Sequence, residues 1–189
     1  MTTIYFIRHA EPDLTIHDDY SRPLTPKGSS DCSFVIDYLH DKKIDVVLSS
    51  PFKRAIDTVL PFAASTNLQV ETIEDLRERK VDSGWIEDFN AFTKKQWEDF
   101  TYKLTDGECL LEVQERNIKA LKQILHQHSG KNIVIGTHGT ALSTIINYYD
   151  NTYGYEDFQS IAGLFPWAVK MEFNEAVCLR IEKINLFAS

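Results

Sequence analysis

Apolar positions along the chain alternate between two textures. Short β-branched and aromatic runs, Thr3-Ile4-Tyr5-Phe6-Ile7, Asp45-Val46-Val47-Leu48-Ser49-Ser50 and Asn132-Ile133-Val134-Ile135-Gly136, predict buried strands. Between them apolar residues recur at helical spacing. Phe34, Val35, Tyr38 and Leu39 form one face, Phe52, Ala55, Ile56 and Val59 a second, Leu110, Val113, Ile118, Leu121, Ile124 and Leu125 a third, and Ala141, Leu142, Ile145 and Ile146 a fourth. Thr25-Pro26 starts the first helix, with Thr25 as cap and Pro26 where no amide donor is needed; Ser50-Pro51 is read the same way for the second. Residues 69–75 give a third strand-like segment, Tyr155 to Ile161 a short helix, and Trp167 to Phe173 and Val177 to Ile184 two closing strands around an Asn174-Glu175 turn. This alternation predicts an α/β fold, a largely parallel sheet covered by helices on both faces.

Residues 81–107 break the rhythm. Trp85, Phe89, Phe92, Trp97, Phe100 and Tyr102 are interleaved with Asp82, Glu87, Asp88, Glu98, Asp99 and Asp106, which reads as a helical cap excursion rather than another strand-helix unit. Aromatics dominate packing wherever they are buried, so these are expected to pack more than to form a substrate platform. The 189 residues fit one domain, 1–189, including that excursion.

Charge and cysteine usage narrow the setting. A net charge of -8 disfavours nucleic acid and anionic membrane as partners, so any anionic substrate needs a local basic pocket. Cys32, Cys109 and Cys178 are far apart and odd in number, which reads as reduced thiols and a cytoplasmic protein. The first strand starts at residue 3, which leaves no room for a signal peptide, and no apolar run reaches the ~18 residues of a membrane span.

The chemistry-bearing residues stand where strands end. Arg8-His9 follows the first strand, Arg54 lies in the first turn of the helix after the second, Glu78 sits among Arg77, Arg79 and Lys80 after the third, and His138-Gly139 follows the strand ending at Gly136. Carboxyl ends of parallel strands converge on the ligand-binding edge of such a sheet. Two guanidinium forks and helix amides would bind a phosphoryl group, a histidine kept neutral by neighbouring cations would attack it, and a carboxylic acid would protonate the leaving oxygen. A surface Arg-His pair after an edge strand is the plain alternative for Arg8-His9, and Arg22 is either a further phosphate contact or a solvated side chain. His126 and His128 suit a helix carboxyl terminus and carry no assigned chemistry. The strand end near Glu78 is placed only within a few residues, so Glu74, Asp75 and Glu87 stand beside it as candidate acids.

Five ordered landmarks also carry a resemblance: Arg8-His9-Ala10-Glu11, Leu24-Thr25-Pro26-Lys27-Gly28, Ser49-Ser50-Pro51-Phe52-Lys53-Arg54-Ala55, Leu76 to Glu78, and Gly136-Thr137-His138-Gly139. Across nearly the whole chain they resemble the histidine phosphatase superfamily, the phosphoglycerate mutase-like group. The resemblance implies a three-layer α/β/α sandwich with an antiparallel edge strand. It implies His9 as a nucleophile that becomes phosphorylated, Arg8, Arg54, His138 and Gly139 with His9 as the phosphate site, Glu78 as proton donor, and no cofactor or metal. Ala10 stands where many members have Gly, a change common among the group's phosphatases. The mutases carry further basic residues in a longer insertion; here Lys94, Lys95 and Lys103 face the six acids of residues 81–107. Sustained mutase action requires a bisphosphorylated intermediate to be retained, so hydrolysis of a small phosphorylated metabolite or other phosphomonoester is the expected reaction.

Three rivals remain at this level. A mutase would give an isomerised ester instead of inorganic phosphate. A silent binder would keep the pocket and lack turnover. A metal hydrolase on His9, Glu11 and His138 would need a ligand set that the sequence does not supply in compact form. Trp85, Phe89 and the acids around them are expected to lid the leaving group, pointing to a neutral, cationic or partly apolar alcohol.

Overall fold

The apolar runs β1 (Thr2–Arg8) and β4 (Asn132–Thr137) lie side by side and parallel, in register from Thr3 opposite Asn132 to Arg8 opposite Thr137. The structure is a computed structural model and describes residues 1–84, 86 and 88–188. β2 (Val46–Ser49) joins the other side of β4, and β3 (Val70–Thr72) pairs with β2, both parallel. β5 (Trp167–Asn174) runs antiparallel to β1 and turns back into β6 (Val177–Ile184). The six-stranded order is β3-β2-β4-β1-β5-β6, so the sheet is mostly parallel with an antiparallel edge.

Strand alternation sorts the side chains into two layers of core. Ile4, Phe6, Leu48, Ile133, Ile135, Val169 and Met171 pack with Leu110, Leu121 and Ile124 of α4 (Leu110–Gln127) and Leu142 and Ile145 of α5 (Gly139–Tyr149). Tyr5, Ile7, Val47, Val134 and Ala168 pack with Val35 and Leu39 of α1 (Pro26–Leu39) and Val59 and Phe62 of α2 (Lys53–Ser65). A period of two buried on both faces yields a helix layer on each side. No helix among the described residues is long and apolar enough to cross a membrane.

Several expectations shift locally. The third strand stops at Thr72 and becomes a 3-10 turn over Glu74–Leu76, because Leu76 turns inward and is fully buried. Phe34 is not on the buried stripe of α1; it lies at the surface against Phe187, and Gly28 and Cys32 take the inner positions. The cap of α2 is Phe52 rather than Ser50, whose hydroxyl accepts the Phe52 amide at 3.2 Å. Among the described residues of 81–107 one helix forms, α3 (Phe89–Glu98). Its Phe92 and Trp97 are buried, Trp97 against Phe100, Tyr153 and Phe158, whereas Phe89 is exposed. Trp85 and Glu87 lie outside the described residues. The short helix α6 (Tyr155–Ser160) and the closing hairpin fall where the pattern puts them.

The start of α1 is welded to the loop that leaves β1. The Thr25 hydroxyl accepts the Gly28 amide at 2.9 Å and donates to Glu11 Oε1 at 2.8 Å, while the Thr25 amide donates to the Glu11 carbonyl at 2.9 Å. A Cβ on Gly28 would stand 2.3 Å from that carbonyl oxygen, so this crossing admits only glycine. Gly28→Ala is expected to lower stability by about 1–3 kcal/mol through overpacking, measured by urea unfolding against the wild type.

Candidate active site

Each candidate residue arrives on a different element. His9 continues the β1–β4 ladder, its amide donating to the Thr137 carbonyl at 3.0 Å. Its Nδ1 lies 2.8 Å from the Ala10 carbonyl oxygen. A carbonyl only accepts, so Nδ1 carries the proton and Nε2 holds the lone pair of the neutral ring. The Arg54 Nε–H faces that Nε2 at 3.3 Å. The Ala10 amide donates to the Thr58 hydroxyl at 2.9 Å, and Thr58 donates to the Arg54 carbonyl at 2.7 Å, which pins the His9-Ala10 peptide to α2.

The two guanidinium groups are held from behind. Arg8 Nη1 donates to the carbonyls of Ile161 and Leu164, and its plane lies 3.9 Å above the Phe165 ring. A Cβ on Gly139 would stand 3.2 Å from that guanidinium, so the glycine makes room for it. Arg54, in the first turn of α2, donates from Nη1 to the Asp19 carbonyl at 2.6 Å and pairs through Nη2 with the Asp19 carboxylate at 3.0 Å. Arg22 does not point at the histidines: it binds the carbonyls of Ile16 and His17 and pairs with the same Asp19 oxygen at 3.0 Å, bracing the loop that presents Asp19.

His138 immediately precedes α5 and is fully buried. Its Nε2 lies 2.7 Å from the Ser50 hydroxyl, its Nδ1 is buried without a partner, and its ring meets His9 edge to face at 5.3 Å between centroids. Glu78 reaches the same helix start. Its Oε2 accepts the Thr140 amide at 3.0 Å, and its Oε1 accepts the amides of Ala141 at 3.0 Å and Arg79 at 2.8 Å. Free amides at a helix amino terminus suit a carboxylate. Each carboxylate oxygen has two lone-pair sites, so Oε2 keeps one open for a proton.

Burial and the clustered cations act together. Burial first, then the charges of Arg54 and Arg8, push His9 well below the ordinary histidine range. Burial, Arg54 and His9 do the same to His138. Burial lowers Arg8 to about 10, which leaves it charged at neutral pH.

Arg8, His9, Arg54, Glu78, His138 and Gly139 thus come together. Glu74 and Asp75 face away, both standing near Arg77. Glu11 is tied to Thr25, and among the described residues no group of three or more His, Cys, Asp or Glu side chains could hold a metal ion. Asp19, Ser50, Thr58 and Phe165 belong to the site without having stood out as such. Thr58 could have been found, since it lies one helical turn beyond Arg54. Arg79 is also buried, its Nη1 on Gln96 and its plane over Phe89 and Phe92.

The profile of the histidine phosphatase superfamily (branch 1) matches residues 4–165, and the chain belongs to that superfamily. Among relatives, the metal-independent phosphoserine phosphatase of Arabidopsis thaliana is 31% identical over 163 residues, 77% of this chain and 67% of that protein. The probable phosphoglycerate mutase GpmB of Serratia proteamaculans is 27% identical over 161 residues, 78% of this chain and 74% of that protein. The fold matches the mycobacterial glucosyl-3-phosphoglycerate phosphatase solved with VO3, with a TM-score of 0.79, 16% identity and coverage of 97% of this chain and 98% of that one.

Neutral buried histidines make stability depend on pH. With folded pKa values below the unfolded ~6.5, the unfolded chain binds protons first, so stability is full above about pH 6.5 and falls as pH drops below it. Each histidine contributes a slope of up to about 1.4 kcal/mol per pH unit in that window. Urea unfolding of His138→Gln between pH 7 and 5 is expected to show a shallower slope than wild type.

Proposed function

We propose that the protein is a phosphomonoester hydrolase that works without a metal, through a phosphohistidine on His9. The observation that carries this reading is the Nδ1 contact to the Ala10 carbonyl at 2.8 Å, which leaves Nε2 unprotonated beside Arg54. In the first step Nε2 attacks the phosphorus in line; the P–N bond forms as the ester P–O bond breaks. The electron pair stays on the leaving oxygen, which takes a proton from Glu78. In the second step water attacks phospho-His9, gives a proton to the Glu78 carboxylate, and releases inorganic phosphate as the P–N bond breaks. Arg8, Arg54, His138 and the amide of Gly139 hold the phosphoryl oxygens as charge spreads over them.

Hydrolysis is favoured over mutase action by the fate of the cap lysines. Lys94 pairs with Glu98, Lys103 with Glu112 at 2.6 Å, and Lys95 lies 3.9 Å above the Tyr102 ring. Each already has a partner, which weighs against their gripping a second phosphate or a carboxylate. Residues 81–107 act as a cap over the leaving group in this reading, and a small phosphorylated metabolite is the substrate class. The Arabidopsis relative makes O-phosphoserine the first compound to try.

The test is inorganic phosphate release from p-nitrophenyl phosphate and a panel of small phosphomonoesters in EDTA. Wild type should release phosphate, and His9→Ala should lose essentially all of it; turnover surviving in His9→Ala would refute the nucleophile. Isomerised ester in place of phosphate would point to the mutase. Arg54→Ala should lower kcat/KM by about 10²–10³-fold, the cost of one oxyanion-hole donor.

A further inference from the structure

Glu78 stands on backbone that no regular element supports: residues 77–80 belong to no helix or strand. The Glu108 amide holds the Lys80 carbonyl at 2.8 Å, and a guanidinium from α4 holds three carbonyls before it. Arg116 Nη1 donates to the carbonyls of Asp75 at 2.9 Å and Arg77 at 2.8 Å, and Nη2 donates to the carbonyl of Glu78 itself at 3.1 Å. The fork is fixed in turn by Glu108, whose two oxygens accept from Arg116 Nε at 2.8 Å and Nη2 at 2.9 Å. Glu108 also accepts the Lys80 amide at 2.9 Å and Arg77 Nη2 at 3.2 Å, so the acid and the arginine together span residues 75–80. Burial pushes the Glu108 carboxyl up, but the bonds from Arg116 and the Lys80 amide and the charges of Arg116 and Arg77 outweigh it, holding it below the ordinary range.

We infer that Arg116, locked by Glu108, is a positioning residue that sets where the Glu78 carboxyl group meets the leaving oxygen. The inference rests on the reading of Glu78 as proton donor. Glu78 is strung between two helices, its carbonyl tied to α4 through Arg116 and its carboxylate to the amides of Thr140 and Ala141 in α5. Of the phosphoryl-binding groups, Arg8 and His9 hang at the end of β1 and Arg54 on α2, while His138 and Gly139 stand at the start of α5, none of them on the α4 side of Glu78. Loosening the α4 end displaces the acid and leaves those groups where they are. Proton donation matters for an alkoxide leaving group and hardly at all for a nitrophenolate, which departs without a proton. A purely structural clamp would slow both alike.

The experiment compares kcat/KM for p-nitrophenyl phosphate with that for the best alkyl phosphate of the panel, in wild type, Glu78→Gln, Arg116→Met and Glu108→Gln. Glu78→Gln should lower the alkyl-to-aryl ratio by about 10²-fold. Arg116→Met should lower it about tenfold and Glu108→Gln in the same direction by less. Circular dichroism melting checks that each variant folds; if Arg116→Met does not, Glu108→Gln decides. A ratio shifted in Glu78→Gln but unmoved in the clamp variants overturns the inference and leaves the acid standing. A ratio unmoved in Glu78→Gln overturns the proton-donor reading and the inference with it.

Discussion

The parallel pairing of β1 with β4 is the constraint on which the site depends. Because Arg8 is opposite Thr137 and the ladder carries on through the His9 amide, the next residues out of both strands must meet. That fixes the two histidines against each other without any loop having to find its place. β2 on the far side of β4 brings the third contribution. A Cβ on Gly136 would stand 2.8 Å from the Ser49 hydroxyl and 2.9 Å from the Ala55 carbonyl, so only glycine lets α2 begin this close to β4. Arg54 enters the site from that helix, and the ring of His138 reaches Ser50. Rigid strand ends hold such groups more precisely than loops do.

Concentrating cations and neutral imidazoles in a dry place is costly to the fold. Arg8 Nε, Arg79 Nε and His138 Nδ1 are buried without partners, and such groups cost about 1–3 kcal/mol each. A chain selected for stability alone would have filled these positions with apolar side chains. Here the net charge of -8 is overridden locally by Arg8, Arg54 and Arg79, with Asp19 and Glu78 the acids whose charge reaches all or most of them. The buried polar cluster coincides with the carboxyl edge of the sheet, the edge at which open α/β sheets bind ligands.

What could be read from the sequence was what the chain encodes locally. Strand and helix periods, the Thr25-Pro26 start, and a charged residue directly after an apolar run require no knowledge of the fold, and Arg8, His9, Arg54, Glu78 and His138 follow from them. Strand direction is not written in a period of two, so the antiparallel run of β5 along β1 could only come from the family resemblance, whereas the Asn174-Glu175 hairpin turn was legible locally. Ser50 looked like a cap because Pro51 follows it; its hydroxyl instead serves Phe52 and His138 together. Asp19 and Phe165 lie on connections whose path depends on everything else, and nothing in their neighbours marks them. Leu76 explains the short third strand: an apolar residue buried beyond the sheet pulls the backbone out of the ladder.

The division of labour between elements has a chemical consequence. Phosphoryl groups are the same in every monoester, and the groups proposed to face them are set by strand ends and the first turns of α2 and α5. Leaving groups differ, and the residues proposed to face them, Glu78 with the stretch beyond it, hang on irregular backbone held by Arg116 of α4 and by Glu108. Gln96 of α3 binds the Tyr102 and Glu108 carbonyls at 2.9 Å and takes Arg79 on its own oxygen, so the acid's support and the cap are one hydrogen-bonded piece. On the proposed mechanism, changing residues 81–107 therefore changes the setting of the proposed proton donor as well as the shape that the alcohol meets. On that mechanism, selection for a new alcohol acts on specificity and acid catalysis together, and leaves the groups proposed to bind the phosphoryl oxygens in place.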